Sequence, residues 1–225
     1  MNARSIFGAA AGILGGLSVI TAATDARADP VGNPGTFDFI ITPGTDSAFW
    51  FGSSSALMEL APTNGYFFTA DLDSDGIVSG VSSSFPVATY TVNGQTGVTA
   101  QLILQGSSEG VVSVPDRLLD FYSMRARVRF TWPSSGGGAT SCNTGVFEID
   151  LSTDNWDPLW GVCTIPYDES TGEFCMAASD FLIPALGTTA CGNNGDDLNT
   201  YFDLGRSSGS YMQILLGYTD PPITQ

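Results

Sequence analysis

The sequence contains no histidine and no lysine, and each absence excludes a kind of chemistry. Without an imidazole the chain cannot form the Ser-His-Asp or Cys-His arrangements that activate a nucleophile. Without a lysine amine it can form neither a Schiff base nor a Walker-type phosphate loop. Any enzymatic activity would therefore have to depend on carboxyl groups, and no complete catalytic constellation is visible in the sequence.

Positive charge is scarce as well. The seven cationic side chains are all arginine and stand against 23 Asp and Glu, which gives a formal net charge of −16 at pH 7. Electrostatic binding of nucleic acid requires a basic surface, so we expect no nucleic-acid partner. The acidic excess also predicts self-repulsion in the folded state, which salt or bound calcium would relieve.

Long apolar runs are confined to the N-terminus. Arg4 precedes an apolar segment from Ile6 to Ile20, and Ala26-Arg27-Ala28 follows as a small-x-small cleavage pattern. The segment is shorter and more interrupted than the roughly 20 residues that span a bilayer, so residues 1–28 are predicted to be a cleaved signal peptide. The sequence therefore predicts a secreted or cell-surface protein with no membrane span in the mature chain and a single domain over residues 29–225.

Cysteine is rare and confined to the second half of the chain, at Cys142, Cys163, Cys175 and Cys191. Export to an oxidising compartment predicts two disulfides. A hairpin about Ser152–Thr153 would pair Cys142 with Cys163 and leave Cys175 for Cys191. A turn about Glu169–Ser170 would instead pair Cys163 with Cys175 and leave Cys142 for Cys191. We prefer the first pairing, because the residues after the strand at Val146–Leu151 favour a turn, but both stay open.

The fold class follows from short alternating segments separated by Gly, Pro, Asn, Asp and Ser, which predict an all-β antiparallel sandwich of jelly-roll or immunoglobulin-like type. Asn93-Gly94 predicts a type I′ hairpin turn. One short helix near the C-terminus is expected between Asp197 as its cap and Gly205 at its end, and residues Ala178–Leu186 could add a turn or two of helix. The predicted strands are Thr36–Ile41, Ser47–Phe51, Ala56–Leu60, Tyr66–Ala70, Gly76–Val81, Val87–Val92, Gln95–Gln105, Gly110–Val114, Phe121–Trp132, Val146–Leu151, Leu159–Thr164 and Tyr211–Tyr218.

Three of the seven arginines alternate along one predicted strand, at Arg125, Arg127 and Arg129. The period of a strand places them on one face. If this strand pairs around the Gly-rich stretch 134–138 with the strand that contains Glu148 and Asp150, Arg129 would face Glu148 and Arg127 would face Asp150. Such a ladder of opposite charges is the expected role of the stripe. The alternative is an anion-binding face for a uronate or a sulfated sugar, and a linker role for 134–138 becomes plausible only if the two strands are not adjacent.

The aspartates at 71, 73 and 75, followed by Gly76, have the spacing that wraps carboxylates around a hard cation. This run resembles the start of the calcium loop of EF-hand and dockerin-type modules. The resemblance implies Asp71, Asp73 and Asp75 as ligands of a structural calcium ion, with the Ile77 carbonyl as a fourth. The twelfth position is Ser82 rather than the bidentate Glu, and the flanks have the pattern of strands rather than helices. We therefore expect a weak calcium site between strands, where the alternative is an ion-free Asp-rich turn.

Two further motifs concern carbohydrate. Glu148-Ile149-Asp150 resembles the first half of the strand motif of laminarinase-like glycoside hydrolases, but Ser152 or Thr153 stands where that motif has its acid/base, so no membership is inferred. The segment that follows combines two tryptophans with polar groups, an arrangement typical of sugar binding, although the tryptophans would also suit the core. The candidate ligand-binding residues are Asp154, Asn155, Trp156, Asp157 and Trp160.

These features predict a secreted acidic module for binding, adhesion or envelope association, with a structural calcium ion. Its expected partner is an extracellular polysaccharide or another cell-surface component. A polysaccharide-cleaving enzyme with two facing carboxyls is the first alternative. A self-assembling surface or filament subunit, with a terminal strand added to the sheet of a neighbour, is the second.

Overall fold

The computed structural model describes residues 35–41, 47–60, 66–73, 77–81, 85–106, 108–113, 118–155, 167–168, 173–206 and 209–218. The predicted signal peptide, residues 1–28, and the predicted strand Leu159–Thr164 lie outside these residues. No helix in the described ranges is long and apolar enough to cross a membrane.

Strands dominate the structure, and all of their pairings are antiparallel, which confirms the predicted all-β antiparallel class. The strands are β1 (Gly35–Ile41), β2 (Ala48–Trp50), β3 (Leu57–Glu59), β4 (Tyr66–Leu72), β5 (Ile77–Val81), β6 (Ala88–Val92), β7 (Gln95–Leu104), β8 (Ser108–Ser113), β9 (Leu118–Pro133), β10 (Ala139–Asn143), β11 (Phe147–Ser152), β12 (Tyr167–Asp168), β13 (Glu173–Phe181) and β14 (Ser210–Tyr218). Two short helices lie near the C-terminus, α1 (Ala190–Asn193) and α2 (Gly195–Tyr201).

Eight strands form a nearly closed, barrel-like sheet in the order β13-β11-β9-β8-β5-β4-β1-β14. The ladder between β13 and β14, from Phe174↔Leu216 to Phe181↔Ser210, joins the two ends of this order. The sequence predicted two packed sheets, whereas the described strands form one continuous sheet. The reason is that β13 pairs on both of its edges, with β11 and with β14.

The longest strand, β9, organises the sheet. Its first half pairs with β8 and β11, and its second half pairs with β7 and β10. The β9–β11 ladder changes register between Ile149 and Leu151, as at a β-bulge. The core-facing residues of β9 are consequently the odd-numbered Leu119 and Phe121 before the bulge, and the even-numbered residues 124–130 after it.

An aromatic cluster holds the C-terminal helices against the sheet. The ring of Phe202, just after α2, contacts those of Phe51, Phe130 and Tyr90 at centroid distances of 4.8, 4.9 and 5.0 Å. Phe202 and Leu198 are fully buried, as expected for the apolar stripe of the predicted helix. Burial raises the pKa of the Tyr90 phenol well above its usual range, and the neighbouring Tyr201 adds to the rise.

The helix itself begins earlier than predicted. It starts at Gly195, so Asp197 lies in its first turn instead of capping it. The Asp197 carboxylate accepts a hydrogen bond of 2.8 Å from the Asn93 side chain, which ties α2 to the turn between β6 and β7. Gly205 has the positive φ expected of a residue beyond a helix end, 69°, and its N–H donates to the Ile183 carbonyl.

The β6–β7 hairpin confirms the prediction from Asn93-Gly94. Both residues have positive φ, 48° and 82°, and Val92 pairs with Gln95 across the turn. This is the geometry of a type I′ turn, whose twist matches that of the two strands.

The possible helix at Ala178–Leu186 does not form, and the Gly-rich stretch leads to a strand that was not predicted. Residues 178–181 belong to β13 and pair with β14, and residues 182–187 are irregular. Strand pairing outweighs the local helix preference here. The stretch 134–138 is a tight turn between β9 and the unpredicted β10, closed by a hydrogen bond from the Ser134 N–H to the Gly138 carbonyl. It is therefore not a linker between domains.

The disulfide joins Cys142 to Cys191, with their Cα atoms 5.1 Å apart. Our preference for Cys142 with Cys163 is wrong, and the second arrangement accounts for this pair. The reason is that β10 places Cys142 opposite Phe130 of β9, and α1 brings Cys191 to the same place, near the Phe130 carbonyl. Cys175 is also disulfide-bonded; Cys163 lies outside the described residues.

Candidate binding face

The three alternating arginines of β9 share one face, as predicted. Arg125 and Arg129 are exposed and Arg127 is half-buried, whereas Ala126 and Val128 between them are fully buried. The strand period therefore holds over this half of β9.

Their cross-strand partners differ from those expected. β9 and β11 are adjacent, which confirms that part of the prediction, but Glu148 lies opposite Arg125 and not Arg129. Asp150 lies at the bulge and not opposite Arg127. The ladder is displaced because β10 follows the Gly-rich turn and occupies the edge of β9 next to Arg129.

Two of the arginines consequently face uncharged residues. Arg127 lies opposite Ile103, and Arg129 lies between Gln101 on β7 and Asn143 on β10. Within the described part of the chain, no arginine side chain of the stripe forms an ion pair or a hydrogen bond. The Nε atom of Arg127 is even buried without a hydrogen-bond partner. The predicted ladder of neutralised charges is therefore wrong.

Acidic residues are excluded from this part of the sheet. No Asp or Glu occurs from residue 85 to 108 or from residue 121 to 147, although the chain contains 23 of them. These two stretches include β6, β7, most of β9 and the whole of β10. The solvent-facing side of β6, β7, β10 and residues 125–131 of β9 is called the arginine face below. Charge is thus segregated, with three arginines grouped on one face of an acidic chain.

Apart from Ile103, which lies opposite Arg127, most remaining side chains of the arginine face are hydroxyls and amides. Thr99 pairs with Thr131, and the hydroxyls of Thr131 and Ser141 are 3.1 Å apart. The Gln101 amide donates to the Phe85 carbonyl at 2.9 Å, which fixes its orientation beside Arg129. The face therefore offers guanidinium groups among neutral groups that donate and accept hydrogen bonds.

A second polar group of residues lies at the β9–β11 bulge. We call Asp120, Tyr122, Asp150, Asp154 and Asn155 the bulge cluster. Partial burial raises the pKa of Asp120, and the charges of Asp150 and Asp154 raise it further. The Oδ1 atom of Asp120 is buried without a hydrogen-bond partner. The surroundings of Asp120 thus favour its protonated form.

The other members of the bulge cluster face solvent. Tyr122 is 37% exposed and has no ring contact or hydrogen bond within the described ranges. The register places Asp150 opposite residues 122 and 123, and the Asn155 amide donates to the Asp150 carbonyl at 3.1 Å. Of the predicted ligand-binding residues, Asp154 and Asn155 therefore belong to this cluster. Trp156, Asp157 and Trp160 lie outside the described residues.

The predicted calcium motif forms the hairpin between β4 and β5. Asp71 pairs with Ser79, and Asp73 and Ile77 exchange two hydrogen bonds, from the Ile77 N–H to the Asp73 carboxylate and from the Asp73 N–H to the Ile77 carbonyl. The side chains of Asp71 and Asp73 are exposed, and Asp75 lies outside the described residues. Strands flank the motif, as predicted. Among the residues that the structure describes, no three acidic or cysteine side chains are grouped as a metal site.

The residues at the missing position of the glycosidase-like motif have structural roles. The Thr153 hydroxyl accepts a hydrogen bond from the Leu119 N–H, and Ser152 accepts one from the Asp154 N–H. Both side chains are buried. They complete the β9–β11 edge and do not replace an acid/base.

Sequence reasoning missed two members of the bulge cluster, Asp120 and Tyr122. Their position depends on the bulge in β9 and on β8, where Gly110 packs directly against the backbone of Asp120. A side chain at position 110 would not fit there, so the glycine was the available signal of a close approach.

Comparison with known proteins gives no match: no family model, no curated protein and no solved structure is significantly similar to this chain.

Proposed function

We propose that this chain is an exported binding module that recognises carbohydrate at the bulge cluster and is stabilised by a calcium ion at the β4–β5 hairpin. The observation that carries the proposal is the exposed ring of Tyr122 across the ladder from Asp150. Asn155 is hydrogen-bonded to Asp150, and Asp154 lies near Asp120. An aromatic ring packs against the apolar face of a sugar, while carboxylate and amide groups bind its hydroxyls. Trp156 and Asp157 follow Asn155 directly in the sequence, so the proposed site includes them.

Export is supported by the disulfide chemistry. Cys142 and Cys191 form a disulfide, and Cys175 is disulfide-bonded too, which is typical of proteins that fold in an oxidising compartment. Cleavage after Ala28 would give a mature chain that begins at Asp29. N-terminal sequencing of the exported protein tests this part of the proposal, and a retained residue 1 would contradict it.

Calcium is proposed for the hairpin because its sequence provides aspartates at the 1, 3, 5 spacing, and Asp73 lies next to Ile77. The Asp73 carboxylate accepts a hydrogen bond from the Ile77 N–H, and carboxylate oxygens are ligands that calcium prefers. The Ile77 carbonyl likewise accepts one hydrogen bond and has a second lone pair. Together with Asp71 and Asp75, these groups supply the hard oxygen ligands that calcium prefers.

A glycan array, screened with the mature protein in calcium and in chelator, tests the proposed function. The affinity for each bound glycan is then compared between the wild type, Tyr122→Ala and Tyr122→Phe. Loss of the stacking ring should weaken binding about tenfold, whereas Phe keeps the ring and should change the affinity less than about twofold. A protein that binds no glycan in either buffer would contradict the proposal.

A polysaccharide-cleaving activity is the second candidate, with Asp120 as proton donor and Asp150 or Asp154 as the charged partner. It is favoured by the raised pKa of Asp120 and by the proximity of two further carboxylates. The two candidates are distinguished by incubating the protein with each bound polysaccharide and measuring new reducing ends. Cleavage would be established if the wild type releases reducing ends and Asp120→Asn binds the polysaccharide but releases none. If the polymer stays intact, the binding module remains the proposed function.

A further inference from the structure

We propose that the arginine face binds a linear polyanionic polysaccharide, carboxylated or sulfated, along β9. This inference rests on the proposed function and deepens it, because it names the class of carbohydrate. It is carried by the grouping of Arg125, Arg127 and Arg129 on a face without carboxylates of its own.

The exposed guanidinium groups of Arg125 and Arg129 are available to a ligand. Exposed arginines of acidic proteins commonly pair with nearby carboxylates, yet the stripe has no ion pair within the described part of the chain. Glu148 is the cross-strand carboxylate next to the stripe, and it lies at the end marked by Arg125. Among the described residues, the cross-strand neighbours of Arg127 and Arg129 are therefore uncharged.

The net charge of −16 does not prevent this interaction at physiological salt. The Debye length there is about 8 Å, so exposed carboxylates farther away are largely screened. A direct contact between an arginine and a bound ligand is shorter than this length and is screened much less. The face is locally cationic for a ligand that touches it, while the rest of the surface repels the same ligand and limits binding to this face.

The spacing of the arginines suits an extended ligand. Alternate residues of a strand are about 7 Å apart, so the stripe from Arg125 to Arg129 spans about 14 Å. Tyr122 lies three residues before Arg125 on the same strand. A polymer that lies along β9 could therefore reach both the bulge cluster and the arginine face.

The neutral residues of the face favour a glycan over an acidic protein. Most are hydroxyls and amides, including Thr99, Gln101, Thr131 and Ser141. Ile103 is the aliphatic exception, and the face as defined here includes no aromatic side chain. Protein interfaces are usually centred on aromatic and aliphatic anchors. Sugar hydroxyls, by contrast, are matched by side chains that both donate and accept hydrogen bonds.

The test measures binding of polygalacturonate, dextran sulfate and neutral dextran to the disulfide-intact mature protein by calorimetry at physiological salt. We expect at least one charged polymer to bind and dextran to bind far more weakly. Arg129→Gln should weaken binding of the charged polymer about tenfold, as expected for loss of one charge-assisted contact. Arg206→Gln is the matched control, since Arg206 is exposed and lies outside the stripe; it should change the affinity less than about twofold.

The two polymers distinguish the source of the charge, a carboxylate or a sulfate. Absence of binding to both would overturn the inference. Equal losses of polymer affinity in Arg129→Gln and Arg206→Gln would also overturn the inference. Binding of neutral glycans that Arg129→Gln leaves unchanged would overturn it too, but the proposed function would then stand. Conversely, polyanion binding that needs Arg129 but not Tyr122 would support the inference and contradict the Tyr122 site.

A second copy of the chain is the other acidic surface available in solution. Light scattering of the wild type and of Arg129→Glu separates this case. A dimer that the variant dissociates, with no polymer bound, would overturn the inference in favour of self-association. A monomer in both proteins, with polymer bound by the wild type alone, would support it.

Discussion

Arg125 and Glu148 lie directly opposite each other on β9 and β11. Both side chains are exposed, and opposite charges across a sheet contribute only about 0.2–1 kcal/mol. Glu148 therefore adds little to stability, but it places a negative charge at one end of the arginine face.

Replacement of Glu148 by Gln should consequently strengthen polyanion binding. The expected gain is about two- to threefold, because a screened surface charge contributes well under 1 kcal/mol. Calorimetry with the charged polymer measures it. Glu109→Gln is the control, since Glu109 is an exposed glutamate of β8; equal gains in the two variants would show an effect of net charge alone.

Asp203 gives the fold a pH-dependent contact. Its carboxylate accepts hydrogen bonds from the Ser53 hydroxyl at 2.7 Å and from the Ser53 N–H at 2.9 Å. These bonds, with a smaller contribution from Arg206, hold the pKa of Asp203 below its usual range. A lowered pKa in the folded state adds stability above the ordinary value of about 3.9, and that stability is lost as the pH falls through the folded pKa.

Asp203→Asn should therefore lower the melting temperature at pH 7 by about 2–4 °C, the effect of about 1 kcal/mol in a domain of this size. Asn tolerates the φ of 54° at this position, so backbone strain is not added. Thermal melts from pH 7 to pH 2.5 should show the difference shrinking below about pH 4 as the wild-type carboxyl becomes protonated. A difference that does not depend on pH would contradict the role of the charge.

The contribution of Asp120 to stability depends on pH in the opposite direction from that of Asp203. Its pKa is raised in the folded state by partial burial and by Asp150 and Asp154, so stability falls as the pH rises above the ordinary value of about 3.9. Asp120→Asn should raise the melting temperature at pH 7, and the gain should vanish below about pH 4. Asp180→Asn, at an exposed aspartate, serves as the control. A loss of stability in Asp120→Asn at pH 7 would contradict this account of the bulge cluster.

The disulfide between Cys142 and Cys191 closes a separation of 49 residues. Its removal should lower the free energy of unfolding by about 2–4 kcal/mol, since loops of this length lose much entropy on closure. The double variant Cys142→Ser and Cys191→Ser, unfolded by denaturant, measures this while Cys175 keeps its bond. An unchanged midpoint would show that α1 and β10 are held together by packing alone.

Calcium should raise the melting temperature beyond the effect of ionic strength. Millimolar calcium matches the affinity expected of a loop without the bidentate Glu, about 10⁻⁴–10⁻³ M, and sodium chloride at equal ionic strength controls for screening. Asp73→Asn keeps an acceptor for the Ile77 N–H and should remove only the calcium-specific part. Equal responses to calcium and sodium in the wild type would remove the proposed site.

Local patterns predicted much of the fold. Alternation located most strands, and Asn93-Gly94 predicted a turn that depends on positive φ at two adjacent residues. Register was less predictable, because it depends on which strand occupies each edge of β9. The short polar strand β10 lacks an alternating apolar pattern, so the Gly-rich turn was expected to lead straight to β11. Because β10 was not predicted, every charge pair of the predicted ladder was assigned to the wrong partner.

The candidate site was predictable only where it is contiguous in sequence. The arginine stripe lies on one strand and was recognised from its period. The bulge cluster combines Asp120 with residues from β11 and the turn after it, and a bulge in the ladder sets their positions. Such long-range pairing has no short sequence signature, and so the raised pKa of Asp120 could not be foreseen.

The most direct measurement is the protection of individual arginines from an arginine-specific reagent. The protein is labelled with phenylglyoxal in the presence and absence of saturating charged polymer, and the modified residues are identified by mass spectrometry. We expect Arg125 and Arg129 to be protected by the polymer and the exposed Arg206 to be labelled equally in both samples. Equal protection of Arg206, or unchanged labelling of Arg129 at saturating polymer, would contradict the assignment of the arginine face as the binding surface.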